Sequence, residues 1–154
     1  MLRRRIGNHL MAVTAVTLLG LAAGPALAQS PEQLVNQRQE NMKQLGGAMK
    51  VLSGYVKGEA DQAAASKAAQ VLVDVGGQMQ EWWPEGTAVG VGDSEAKPAI
   101  WTETEKFNAN IEKMKAATPA LLAAVQSSDS GATGKQLGAV GATCKSCHQD
   151  YKAD

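Results

Sequence analysis

Near the C-terminus, two cysteines stand three positions apart and a histidine follows at once: Cys144-Lys145-Ser146-Cys147-His148. This is the attachment spacing of a c-type haem. On a helix, positions i, i+3 and i+4 share one face, so both sulfurs and the imidazole point the same way. Thioether bonds from Cys144 and Cys147 would fix one porphyrin per chain, and His148 would be the proximal ligand to iron. A structural zinc site needs four protein ligands, and the chain has only two cysteines and two histidines. A thioredoxin-like pair needs a βαβ setting, and no strand pattern precedes the motif. A plain disulfide leaves His148 without a task.

Two residues near the other end of the chain bear on the same chemistry. Arg38 falls within an apolar helical seam, where a guanidinium costs desolvation unless it is paired. A haem propionate would suit it, because guanidinium binds carboxylate in a bidentate way. The plainer alternative is an arginine that snorkels out from a frayed first turn. Met42, one turn later, is either core filler or an axial ligand, and spacing alone leaves both open. Gly138 and Gly141 remove bulk from the helix that carries His148, which suits a ring or simply close helix packing. No paired carboxylates stand out on one face, so an enzymatic role is not expected.

The first 28 residues have the form of a secretory leader. Arg3, Arg4 and Arg5 are its basic start, Leu10 to Leu21 its apolar run, and Ala26-Leu27-Ala28 its small-residue cleavage site. Glycines and a proline interrupt the apolar run, so cleavage before Gln29 fits better than a membrane anchor. Haem ligation needs reduced, accessible thiols, and export to a bacterial periplasm with attachment there is the economical reading. The leader takes three of the fifteen basic residues and none of the fifteen acidic ones, leaving a formal charge near −3. His9 leaves with it, and His148 becomes the only histidine. That slightly acidic balance argues against nucleic acid as a partner. Residues 29–154 suffice for one domain with one core.

Helices must then position these groups. One phenylalanine and two tyrosines make a light core for this length, a deficit that a large flat cofactor would fill. Ser30-Pro31-Glu32-Gln33 reads as a capping box with proline in the first turn. A seam follows through Val35, Arg38, Met42, Leu45, Met49, Leu52 and Val56, with Gly58 at its end. A second helix is expected from about Asp61 to Trp82, on a stripe of Ala64, Ala68, Val71, Val75, Met79 and Trp82. Residues 83–98, rich in glycine and proline, form a loop longer than helix connections usually are. A third helix begins at Pro98 and passes through Ile100, Trp101, Phe107, Ile111 and Met114. Pro119 predicts a kink, or a break with restart at Thr118. Thr133 and Gln136 suggest a capping box for the last helix, which presents Leu137, Val140, Cys144, Cys147, His148 and Tyr151. The pattern predicts an all-α, antiparallel up-down four-helix bundle with covalent haem near one end.

Those residues together resemble the cytochromes c′. The resemblance spans the mature chain: the C-terminal VGATCKSCHQDYK, the first-helix RQENMKQLGGAMK, VKGE, the loop WWPEGT, and KPAIW ahead of Phe107. It implies a high-spin haem with one protein ligand, and small gases such as nitric oxide and carbon monoxide on the opposite face. It places Arg38 and Gln39 near the haem edge and propionates, and Met42 over iron. It also sets Lys152 at a basic position beside the proximal histidine. A homodimer through the first two helices is implied as well. The related c-556 type is six-coordinate, and there Met42 would be the second axial ligand of an electron carrier, with redox proteins as partners.

Overall fold

The structure, a computed structural model, describes residues 29–153. The leader and its cleavage site lie outside them. Four long helices form the frame: α1 (Pro31–Val56), α2 (Gln62–Gly77), α4 (Thr104–Gln126) and α5 (Ser130–Tyr151). A single turn, α3 (Ala99–Thr102), precedes α4, and a 3-10 turn over Met79–Trp82 follows α2. Each long helix packs against its neighbours in the order α1, α2, α4, α5 and back to α1, and the backbones of the diagonal pairs stay apart. This is the antiparallel bundle expected from the four amphipathic stripes.

Local chemistry explains where each helix starts. Ser30 Oγ accepts the Gln33 amide at 3.3 Å, and Gln33 Oε1 accepts the Ser30 amide at 2.8 Å, so the first capping box forms as expected. Gly58 follows the end of α1 with φ 79°, a left-handed conformation that glycine adopts without strain. Asp61 caps α2 through the Ala64 amide at 2.7 Å.

Five expectations need correction. Regular helix in α2 stops at Gly77 rather than Trp82. Its buried stripe is Ala65, Ala68, Ala69, Leu72 and Gly76, turned slightly from the expected one. Gly76 explains the turn, because a Cβ there would stand 2.8 Å from Met114 Cε, so α2 and α4 meet at that glycine. The third segment breaks at Glu103, whose φ of −117° and ψ of 43° are not helical. Pro119 breaks nothing: α4 continues through it, and Leu121 and Val125 beyond it are fully buried. Proline takes away the amide that would have bonded the Lys115 carbonyl, and the Thr118 hydroxyl donates to that carbonyl instead, at 3.4 Å. Finally, α5 begins at Ser130 with Asp129 as its cap, accepting the Ala132 amide at 2.8 Å. Thr133 is a buried residue inside the helix, its hydroxyl bonded to Asp129 O at 2.7 Å.

Candidate haem site

At the end of the bundle where α1 begins and α5 finishes, a cavity of about 480 Å3 opens. Its apolar walls are Met42 from α1, Ile100 from α3, Phe107 from α4, Tyr151 from α5 and Trp83 from the loop. Cys147 and His148 line it from α5, and Arg38 and Gln39 from α1. The chain therefore brings together residues that lie more than a hundred positions apart. Cys144, one turn earlier on α5, packs half-buried against the core without lining the cavity.

The two thiols are not activated. Burial pushes the Cys144 thiol up, and burial followed by the nearby Cys144 and Asp150 charges raises that of Cys147 to about 11. Both are protonated near neutrality, unlike a redox cysteine with a stabilised thiolate. They are free cysteines in this structure. Among the described residues, no cluster of three or more histidine, cysteine or acidic side chains could hold a metal ion. His148, on the exposed face of the last turn, is left with Cys147 beside one large apolar hollow. Two thiols one turn apart, an imidazole and an apolar cavity fit a covalently held haem. Gly141 packs on α1, with a Cβ there meeting Met49 Cε at 3.7 Å, whereas a Cβ at Gly138 would meet open space.

Arg38 is 5% exposed and does not snorkel. Its Nη1 donates to Thr87 Oγ1 at 2.9 Å and to Trp82 O at 3.4 Å. Its Nη2 donates to Thr87 O and Ser94 Oγ, both at 2.9 Å. The guanidinium also lies 4.8 Å over the Trp83 ring. No carboxylate of the described residues pairs with it, and burial lowers its pKa. Gln39 is committed likewise, with Nε2 donating to Asp93 O at 2.7 Å. Both residues expected at the propionates thus hold the loop over the cavity. Lys152 follows the end of α5, lines the same cavity, and pairs with Glu95 at 2.9 Å.

Aromatic rings finish the wall. Phe107 meets Trp83 at 4.9 Å and Tyr151 at 5.0 Å, both edge to face. Trp101 Nε1 donates to Trp83 O at 3.0 Å and so ties α3 to the loop. The Trp83 indole N–H is the one buried side-chain donor without an acceptor among the described residues. Sequence reasoning missed Thr87 and Ser94, the buried partners of Arg38. Their only trace in the sequence is a pair of small hydroxyl residues within a glycine-rich loop.

The cytochrome c′ family model matches residues 33–152, nearly the whole described chain. The chain belongs to the cytochrome c′ family. Cytochrome c′ of Pararhodospirillum photometricum is 37% identical over 124 residues, 80% of this chain and 98% of that protein. A cytochrome c-556 from Agrobacterium fabrum is 33% identical, over 93% of this chain and 95% of its own length. Among solved structures, a cytochrome c′ with ligand-controlled dimer dissociation superposes with a TM-score of 0.78 at 27% identity, covering 83% of this chain and all of that one. A ferrous, nitric-oxide-bound variant of the Alcaligenes xylosoxidans cytochrome c′ gives a TM-score of 0.73 at 27% identity, over 83% and 99% of the two chains. Membership in the cytochrome c′ family implies a covalently bound haem c, and the cavity beside Cys147 and His148 is the place this chain offers for it.

Proposed function

We propose that the chain is a periplasmic haem protein that captures nitric oxide at an open iron position, with carbon monoxide as a weaker surrogate. In this reading Cys144 and Cys147 hold one haem by thioether bonds, His148 is its only protein ligand, and Met42 packs over the opposite face. The iron would supply the gas-binding position. The chain's own residues supply a largely apolar wall whose polar side chains are mostly bonded to one another.

The observation that carries this reading is that most polar side chains of α1, the loop and α5 at the cavity are bonded within the chain. The Trp83 indole N–H is the one buried donor among the described residues left without an acceptor. Arg38 and Gln39 bond to the loop, Ser94 Oγ donates to Thr87 O at 2.7 Å, and Tyr151 OH faces Glu103 at 3.4 Å. Bound dioxygen would find few free polar partners there, and nitric oxide depends on them less. The nitric-oxide-bound relative of the same fold supports the choice of ligand. This assigns binding rather than enzymatic turnover, with redox proteins as possible electron donors.

A second reading is favoured by Met42 itself, which lines the same cavity as His148. As a second axial ligand it would make the chain a six-coordinate electron carrier, like the c-556 proteins it also resembles. Absorption spectra of the ferric and ferrous protein, with Met42→Ala alongside, separate the two. The open site predicts high-spin spectra for both proteins and faster carbon monoxide binding in the variant. A low-spin wild type that turns high-spin in Met42→Ala would establish the carrier. Acid–acetone extraction checks the attachment, and colour partitioning into solvent would refute it.

Export and dimerisation complete the proposal. Among the described residues, no helix is long and apolar enough to cross a membrane. A homodimer through α1 and α2 is supported by Gly46 and Gly47, where an added Cβ would meet open space. Light scattering at micromolar concentration should give the dimer mass.

A further inference from the structure

The C-terminus of α5 has no glycine cap of its own. Lys152 ends the helix in an extended conformation, φ −101° and ψ 130°, with its amide on His148 O at 3.1 Å. The last carbonyls of a helix need partners from elsewhere, and here they come from the loop. The Lys97 amide donates to Tyr151 O at 2.9 Å, and Lys97 Nζ donates to Gln149 O at 3.3 Å. A cation at that terminus also complements the helix dipole. Ala96 and Lys152 form an antiparallel bridge, the Ala153 amide donates to Glu95 O at 2.7 Å, and Glu95 pairs with Lys152. The turn that bears His148 is therefore capped by residues 95–97.

The other end of the same segment is anchored to α1. Gln39 holds Asp93 O, and Ser94 Oγ accepts from both Arg38 Nη2 and the Ala96 amide, the latter at 3.3 Å. A continuous run of bonds thus leads from Arg38 and Gln39, on one wall of the cavity, through residues 93–97 to the turn of His148. We propose that residues 93–97 form a strap by which α1 sets the orientation of the His148 imidazole, with Lys97 and Glu95 as its positioning residues. The inference rests on the haem reading, in which that imidazole binds iron.

Magnitudes rank the parts of the strap. The Glu95–Lys152 pair is largely exposed, and such pairs contribute little. Lys97 Nζ reaches a carbonyl of the last helical turn, Gln149 O, where a cation also meets the negative end of the helix dipole, and should matter more. Loss of one net hydrogen bond there should raise amide exchange at Lys152 about fivefold.

The test uses the ferrous haem protein and its resonance Raman iron–histidine stretching band, in wild type and in Lys97→Met, Glu95→Gln and Gln39→Ala. A displaced band in Lys97→Met, a smaller displacement in Glu95→Gln, and a displacement in Gln39→Ala are expected. The last is the telling one, because Gln39 lies across the cavity from His148. Superimposable bands in all four proteins, with covalent haem present, would overturn the strap and leave the haem reading intact. If haem fails to attach, the haem reading fails instead. The strap is then judged by Lys152 amide exchange in Lys97→Met, where unchanged protection would overturn it.

Discussion

The two ends of the bundle are built on different principles. At the end away from the cavity, α1, α2, α4 and α5 meet through Leu52, Ala65, Ala69, Leu121, Val125 and Val140, all fully buried. One polar tie closes it, with Tyr55 OH donating to Gln62 Oε1 at 2.6 Å and Gln62 Nε2 donating to Val125 O. At the cavity end the helices stand apart around a hollow, and rings and a buried guanidinium take the place of aliphatic packing. Stability at the first end comes from removing methyl groups from water. At the second, a polar network holds a loop across a gap that the chain itself leaves. The comparison assigns fold to one end and ligand to the other.

Leu121→Ala is the strongest way to break that division. It removes a fully buried side chain far from the cavity, and such truncations cost about 2–5 kcal/mol. Denaturant unfolding should show that loss, while the haem absorption bands stay where they are. A spectral change as large as the stability change would show that the ends are not separable.

Arg38→Ala attacks the other end. Bonds from a charged donor contribute about 1.5–3 kcal/mol, and alanine returns a small gain in helix propensity. The expected outcome is a modest loss of stability with faster proteolysis around Gly86 to Gly92. Unchanged cleavage of that loop would show that the four contacts of Arg38 do not restrain it. Trp101→Phe is milder still. It deletes the Nε1 bond to Trp83 O and should cost about 1 kcal/mol, with loop cleavage rising less than in Arg38→Ala.

How much of this was legible in the sequence also differs between the ends. The haem-attachment motif, the seam of α1 and the anomaly of Arg38 follow from residue type and spacing, which are local. The elements misread were decided by tertiary partners. Pro119 is accommodated with Thr118 supplying a donor to the freed Lys115 carbonyl, and α2 turns its glycine face, at Gly76, to Met114. The cap of α5 is Asp129, four residues before the expected Thr133, which lies inside the helix and bonds back to Asp129 O. Arg38 sits buried on its seam, as its spacing predicts. Its contacts within the chain, carbonyls and hydroxyls from a loop without periodicity, were not legible in the sequence. No pattern in residues 83–98 announces which of them will meet a helix fifty residues earlier.

The smallest effect sharpens the cavity end by pH. In the haem-free chain burial pushes the Cys147 thiol up to about 11, because a thiolate there loses solvation. A group whose folded pKa is raised stabilises the fold below its unfolded pKa, and that contribution fades as pH rises through the folded value. The haem-free chain should therefore lose stability between about pH 9 and 11, Cys144 adding in the same direction. The loss is modest because both side chains are only part-buried and solvent screens the new charge. Haem attachment would replace each S–H by a carbon–sulfur bond and so remove the titrating proton. The haem protein should then lack the thiol contribution across that window. Denaturant midpoints for the two forms measure the difference, and Cys147→Ser in the haem-free chain should diminish it. Parallel pH profiles for the two forms would show that the thiols stay free, and would place the haem, if bound at all, outside the reach of Cys147.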